Sequence, residues 1–192
     1  MLPQILSTRS LYEGWTTLRL VRVRLTSGEV VDREVEDHGN AVAVLPYDPA
    51  RRTVMLIRIL RTPALLRAGL AAMLECPAGL LDETDPAAAA RREASEEVGL
   101  ALHDLEHVGR VWTSPGISAE QMDLYLAPYS AADRVKAGGG VASEHEAIEV
   151  AELGLDELWA MVGRGTIDDM KTLTLALTLR LRHPELFDKD RS

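Results

Sequence analysis

The chain has 192 residues, which at roughly 150 residues per domain implies one domain with at most a small extension. Thirty acidic against 21 basic residues leave a net charge of −9, which argues against the broad basic field that coats nucleic acid. One cysteine, Cys76, rules out an intrachain disulfide and a cysteine-cluster metal site, and 46% hydrophobic content with 27% charged residues suits a soluble globule with a sizeable core.

In chain order, the segment up to Gly14 has no basic patch followed by an apolar stretch, so it does not read as a signal peptide. No apolar run approaches the roughly 18 residues of a membrane span, and a soluble, cytoplasmic protein is expected. Residues 17–25 alternate, with Leu18 and Leu20 on one phase and Val21, Val23 and Leu25 on the other; the phase change predicts a bulge. Ser27-Gly28 is a turn signal and residues 29–35 alternate again, so a β-hairpin is expected near the N-terminus. Two apolar strands follow at 41–45 and 54–59, separated by a turn at Pro46–Pro49 and the pair Arg51-Arg52.

Asp85-Pro86 opens a helix, Asp as the N-cap and Pro in its first turn, and Gly99 closes it. Strands are expected at 108–112, 122–126 and 148–150, with Met122 and Trp112 in the core. Leu155, Leu158, Trp159 and Val162 have the i, i+3, i+4, i+7 spacing of an amphipathic helix. Residues 172–179 alternate Thr or Ala with Leu like a strand, but the length up to the stop at His183-Pro184 predicts a helix. The order of strands and helices suggests an α+β or a sandwiched α/β domain.

The chemistry concentrates in one helix. Glu93 and Glu97 lie four residues apart on one face, with Glu96 beside them; like charges at that spacing repel unless a cation lies between them. Hard divalent cations take carboxylate and carbonyl oxygens, with waters and substrate phosphates completing the shell. A solvated acidic face is the competing reading of Glu93 and Glu97 alone. Arg92 is placed to orient one carboxylate, and the Gly79 loop to bring the Ala78 carbonyl alongside. The five histidines, at 38, 103, 107, 145 and 183, share no metal spacing, which leaves zinc hydrolysis without support, and Cys76 reads as packing.

The run from Gly79 through Arg92-Glu93-Ala94-Ser95-Glu96-Glu97-Val98-Gly99-Leu100 resembles the signature of the Nudix hydrolases. The second half matches fully. In the first half Asp85 stands where the family has Glu, and six residues rather than seven separate it from Arg92. Beyond the motif, Leu56-Ile57-Arg58 with Arg61, Glu75-Cys76-Pro77-Ala78-Gly79, Thr113-Ser114-Pro115-Gly116 with Glu120, the Gly138-Gly139-Gly140 loop and the segment from Gly165 to Thr172 look like the ADP-sugar and GDP-mannose pyrophosphatase branch.

That resemblance implies an α+β fold: a Nudix α/β/α sandwich over residues 41–192, with a mixed sheet between helices, preceded by an N-terminal antiparallel β extension. It implies hydrolysis of nucleoside diphosphate sugars, GDP-mannose first and ADP-ribose second, with Mg²⁺ or alternatively Mn²⁺. It implies a homodimer with exchanged N-terminal strands built from residues 1–40. Ala78, Glu93, Glu97 and Glu146 are the implied metal ligands. Glu93, Glu96, Glu97 and Glu146 form the catalytic set, with Glu96 reading equally as the ion-pair partner of Arg92. Glu120, Arg33 with Glu34, Arg61, Lys171, Gly79 and Ala78 are the implied substrate contacts, and Trp15 is either a base-stacking platform or a packing residue. A solvated Lys171 and a loop or strand-edge acid at Glu146 and Glu120 are the competing readings. Two other functions stay open on these residues: a nucleotide-sugar sensor without turnover, and a Nudix enzyme for nucleoside triphosphates or dinucleoside polyphosphates.

Overall fold

The structure is a computed structural model, and it describes residues 1–140 and 147–187. The chain divides into two compact units, Met1–Ala41 with Arg110–Met122, and Val42–Gly109 with Asp123–Ser192.

The first unit is built on a three-stranded antiparallel sheet in the order β1 (Gln4–Glu13), β2 (Thr17–Arg24), β3 (Val30–Asp37). β2 and β3 form the expected hairpin: Gly28 takes a positive φ of 89° and its amide donates to the Leu25 carbonyl at 2.9 Å. Cross-strand pairs hold the register, Arg22 forking onto Asp32 at 2.8 and 3.0 Å and Arg19 reaching Asp37 at 2.7 Å. β1 was not expected. It is exposed along its whole length, and its register slips between Ile5 and Ser7 and again between Ser10 and Tyr12. Those two slips leave Leu6 and Leu11 as extra residues, so β1 has no regular alternation to read. The bulges therefore lie in β1 and not at the phase change of β2, whose pairing with β3 is continuous.

The second unit is organised on a seven-stranded sheet: β4 (Ala41–Asp48), β5 (Thr53–Ile59), β6 (Met73–Glu75), β7 (Ala78–Leu80), β8 (Glu106–Trp112), β9 (Gln121–Pro128) and β10 (Glu149–Gly154). The main path is β10-β5-β4-β9-β8, with β6 beside β5 and β7 beside β4. The helices are α1 (Thr62–Ala68), α2 (Pro86–Val98), α3 (Leu155–Arg164) and α4 (Met170–Arg182). Side chains of one parity, Val42, Val44, Met55, Ile57 and Ile59, pack with Ala89, Ala90, Ala94 and Val98 of α2. The opposite parity, Leu45, Val54 and Leu56, is equally buried, as are Leu155, Leu158, Leu175 and Leu179 of α3 and α4. A strand buried on both faces reads as a continuous apolar run, which is why β4 and β5 were plain in the sequence.

Two further expectations are corrected, and one helix was not expected. The strand β4 runs through Pro46 and Tyr47, and the turn begins later, because the Asp48 carboxylate accepts from the amides of Ala50 and Arg51 at 2.9 and 3.0 Å. Trp112 is not core; it is half exposed, whereas Met122 is buried. α1 was missed because it buries no residue and has no apolar stripe, although Pro63 in its first turn and Gly69 at its left-handed C-cap were legible signals. The alternating last segment is a helix as expected: Asp169 caps it through the Thr172 amide at 2.9 Å, and Thr172, Leu175, Ala176 and Leu179 make its buried stripe.

Candidate functional site

Helix α2 begins where the sequence placed it. Asp85 is the N-cap, accepting from the Ala87 amide at 2.9 Å, and Gly99 ends the helix with a φ of 73°. The departure from the signature at Asp85 thus has a local use in starting the helix. One face of α2 then sets Glu93 and Glu97 against β7. The Ala78 amide donates to Glu97 Oε2 at 3.0 Å, and a Cβ built on Gly79 would fall on the Glu93 carboxylate. Both carboxylates are buried, at 8% and 4% exposure. Burying two like charges is costly without compensation, and at this burial the solvated-face reading fails for the pair.

Arg92 supplies part of the compensation. Its guanidinium lies 2.7 Å from Glu93, 3.3 Å from Glu96, 2.9 Å from Asp82 and 3.4 Å from Glu83. One cation faces four carboxylates here, which leaves the neighbourhood strongly negative. Glu96 therefore pairs with Arg92 and remains beside the buried acids. Among the described residues no three His, Cys, Asp or Glu side chains close into a complete metal cage. The donor set of two buried carboxylates beside the Ala78–Gly79 backbone fits a hard cation that keeps waters and phosphate oxygens in its shell.

The Gly138–Gly140 segment belongs to the same construction. Gly139 and Gly140 donate their amides to the Glu97 and Glu96 carbonyls at 2.8 and 3.0 Å, satisfying carbonyls at the C-terminal end of α2. All three glycines have positive φ, and a Cβ on Gly138 would lie 2.6 Å from the Glu97 carbonyl oxygen. Gly138→Ala is expected to destabilise the protein by about 1–3 kcal/mol, measured by chemical denaturation. Glu146, and the less favoured Glu144, lie outside the described residues.

Gly79→Ala tests the contact of β7 with Glu93. The added methyl must displace the carboxylate, so activity is expected to fall at least about tenfold while the protein stays folded by circular dichroism.

Arg61 and Lys171 meet on one acid. Arg61 forks onto Glu75 at 3.0 and 2.9 Å, and the Lys171 ammonium bridges Glu75 and Asp169. Glu75 is 2% exposed. Burial raises its pKa, but the Arg61 hydrogen bonds and the Lys171 charge override this and hold the carboxyl below its usual range. Lys171 is largely buried rather than solvated, and burial alone would favour its neutral form; Glu75 and Asp169 help keep it charged. The neighbouring Cys76 amide donates to Thr172 Oγ1 at 2.7 Å. Full burial pushes the Cys76 thiol up to about 12, so it packs and is no nucleophile.

The first unit carries the other expected contacts. Arg33, Glu34 and Val35 of β3 face Pro115, Gly116, Ile117 and Ser118 across an open pocket of about 300 Å³. Trp15 is 76% exposed, which removes the core reading, and it lies flat on the His38 ring with centroids 5.1 Å apart. Glu120 is bonded to His38 at 3.2 Å. Sequence reasoning missed His38, Glu36, Thr16 and Ser118. They have no motif spacing and converge only through the pairing of β3 with residues 117–119.

The chain belongs to the Nudix family: the NUDIX domain model matches residues 37–173, most of its length. It is similar to the GDP-mannose pyrophosphatase of Cronobacter sakazakii, 40% identical over 184 residues that cover 93% of this chain and 95% of that one. It is also similar to the GDP-mannose pyrophosphatase of Klebsiella pneumoniae, 38% identical over 176 residues, covering 89% and 88%. Among solved structures, an ADP compounds hydrolase superposes with a TM-score of 0.77, covering 96% of each chain at 19% identity, which shows the shared fold. No helix of the described residues is long and apolar enough to cross a membrane.

Proposed function

We propose that this protein hydrolyses the diphosphate of nucleoside diphosphate sugars, GDP-mannose first and ADP-ribose second, using Mg²⁺, with Mn²⁺ able to replace it. The observation that carries the reading is the burial of Glu93 and Glu97 side by side against Ala78 and Gly79. The similarity to GDP-mannose pyrophosphatases along nearly the whole chain supports the substrate class.

Glu93, Glu97, Glu146 and the Ala78 carbonyl would hold the cation, which when bound neutralises the diphosphate and lowers the pKa of a coordinated water. The chain's own residues do the rest. Arg92 orients Glu93, and the Ala78 amide orients Glu97. Glu96 and Glu146 are the acids available to take the proton as water adds to one phosphorus and the bridging P–O bond breaks. The products are a nucleoside monophosphate and a sugar phosphate. Arg33, Glu34, Trp15 and Glu120 bind the nucleoside side, and Arg61 and Lys171, aligned by Glu75, face the phosphates. The domain division at residue 41 goes with this reading: the segment 1–40 serves dimerisation and nucleotide contacts, exchanging strands between two copies in the cytoplasm. The exposed strand β1 supports that role, because its edge is open to another chain.

The test is incubation with Mg²⁺ and a panel of GDP-mannose, ADP-ribose, other nucleotide sugars and nucleoside triphosphates, with products identified by mass. GMP and a sugar phosphate are expected from GDP-mannose. Tight binding of a nucleotide sugar without turnover would replace the enzyme reading by a sensor. Release of inorganic pyrophosphate from triphosphates would move the substrate class.

A further inference from the structure

We infer that protonated His38 is a positioning residue that clamps the two walls of the nucleoside pocket together and backs the Trp15 platform, so that nucleotide affinity depends on its charge. The inference rests on the reading of the first unit as nucleotide-binding.

The pocket has two walls, the end of β3 and the 115–118 turn. What joins them is a small network next to the pocket. The Glu36 amide donates to the Ile117 carbonyl at 2.8 Å, and the Ala119 amide donates back to the Glu36 carbonyl at 2.8 Å. The Glu36 side chain accepts from Ser118 Oγ at 2.8 Å and from Thr16 Oγ1. His38 completes the link: Nδ1 lies 2.6 Å from Glu36 and Nε2 3.2 Å from Glu120, and the ring is only 18% exposed.

A neutral imidazole has one N–H and can serve one carboxylate; only the imidazolium donates to both. Trp15 covers the ring face, an arrangement that also favours the cation. The charged groups facing His38 are Glu36, Glu120 and Asp37, and Asp37 is itself held by Arg19 at 2.7 Å. Burial would lower the His38 pKa, but the Glu36 and Glu120 contacts outweigh it and raise the value above the usual 6.5. The sign follows directly. The clamp is fully engaged below about 6.5 and is lost as pH rises through the raised folded value. On deprotonation one carboxylate, still ionised, loses its donor. The Glu120 side chain then loses its tie through His38 to β3, the 117–119 segment is held only by its backbone and Ser118 bonds to Glu36, and Trp15 loses the cation beneath it.

The pocket holds Arg33, Glu34 and Ser118 as polar groups and Val35 and Ile117 as apolar ones, a mixture suited to a base and its ribose. The test has two arms, neither of which reads turnover, so failure of sugar-nucleotide hydrolysis would leave it intact. In the first, the His38 ring is followed by nuclear magnetic resonance of the wild-type protein, with His38→Gln as the assignment control. A pKa above the ordinary histidine value is expected, and one at or below it overturns the inference. In the second, GMP binding with Mg²⁺ is measured by calorimetry at pH 6.5 and 9. Wild-type affinity is expected to weaken about tenfold at the higher pH, the weight of one charge-assisted contact. His38→Gln is expected to bind weakly at both, and His38→Arg, charged throughout, tightly at both. Ionisation of the ligand itself appears equally in His38→Arg and cancels in the ratio. Equal wild-type affinity at the two pH values relative to His38→Arg, or no GMP binding at either, overturns it.

Discussion

Glu93→Gln and Glu97→Gln are each expected to lower kcat/KM by at least about 100-fold while leaving the protein folded. Both substitutions keep the side-chain volume and remove one negative charge from a buried site. Glutamine at position 97 still offers an oxygen to the Ala78 amide, so the hydrogen bond that ties α2 to β7 survives. Glutamine at position 93 still fits against Gly79 and beside Arg92. What disappears is the charge that a divalent cation needs in order to compete with water. A structural role would respond differently. Neutralising one of two adjacent buried acids relieves repulsion, so the melting temperature of the metal-free protein should hold or rise while activity collapses. The measurement is kcat/KM for GDP-mannose at saturating Mg²⁺, with thermal melts in EDTA and in Mg²⁺. The wild-type melt should rise with Mg²⁺ as the cation binds the folded state. That rise should shrink in both variants. Activity within a factor of ten of wild type would remove Glu93 and Glu97 from the mechanism.

The acidic helix was legible because its function is written locally. Cap, first-turn proline, carboxylate spacing and terminal glycine all fall within about four turns of one helix, and each has a short-range physical reason. The sheet strands were legible for a similar reason, since burial on both faces leaves uninterrupted apolar runs such as Val54 to Ile57. The parts that escaped depend on distant pairing. β1 carries two bulges and buries nothing, so no period survives in it. His38 has no motif around it, and its meaning comes from Glu120, 82 positions away. Arg61 and Lys171 stood out as candidate phosphate or sugar contacts, yet the acid they both bond is Glu75, which stood in a resembling segment with no role attached. The Gly138–Gly140 run read as a loop. Its actual use is to bring backbone amides onto the helix carbonyls of Glu96 and Glu97, an approach that a side chain would block. Local signals thus identified the acidic helix, and the supports that orient it came from long-range backbone contact.

Removing Glu75 is expected to produce the largest loss of stability in the molecule. Glu75→Ala takes the buried central anion from the cluster, so the Arg61 guanidinium loses its forked acceptor and the Lys171 ammonium keeps Asp169 but loses Glu75. Breaking a buried ion pair by deleting one partner typically costs about 3–5 kcal/mol, because the remaining charge stays desolvated. Glu75→Gln keeps the shape and one acceptor, so its loss should be smaller and the ordering of the two variants is itself a check. The pH dependence gives a second. Glu75 titrates below its usual 4.5 in the folded protein, so its contribution is present above that value and is lost as pH falls through the lowered one. Lys171 titrates above its usual 10.5, so its contribution is present below that value and is lost as pH rises through the raised one. Between these limits the wild-type advantage over Glu75→Ala should be flat, and it should shrink at the acid end. Because only Cys76 and Pro77 separate Glu75 at the end of β6 from the start of β7, slackening the cluster also loosens the backbone that meets Glu93 and Glu97. Glu75→Gln should therefore lower kcat/KM more than its stability loss alone explains at a temperature where it is fully folded. Urea denaturation from pH 3 to 9 with parallel activity assays measures both effects; a Glu75→Ala stability within about 1 kcal/mol of wild type at neutral pH would show that the cluster is not the support described.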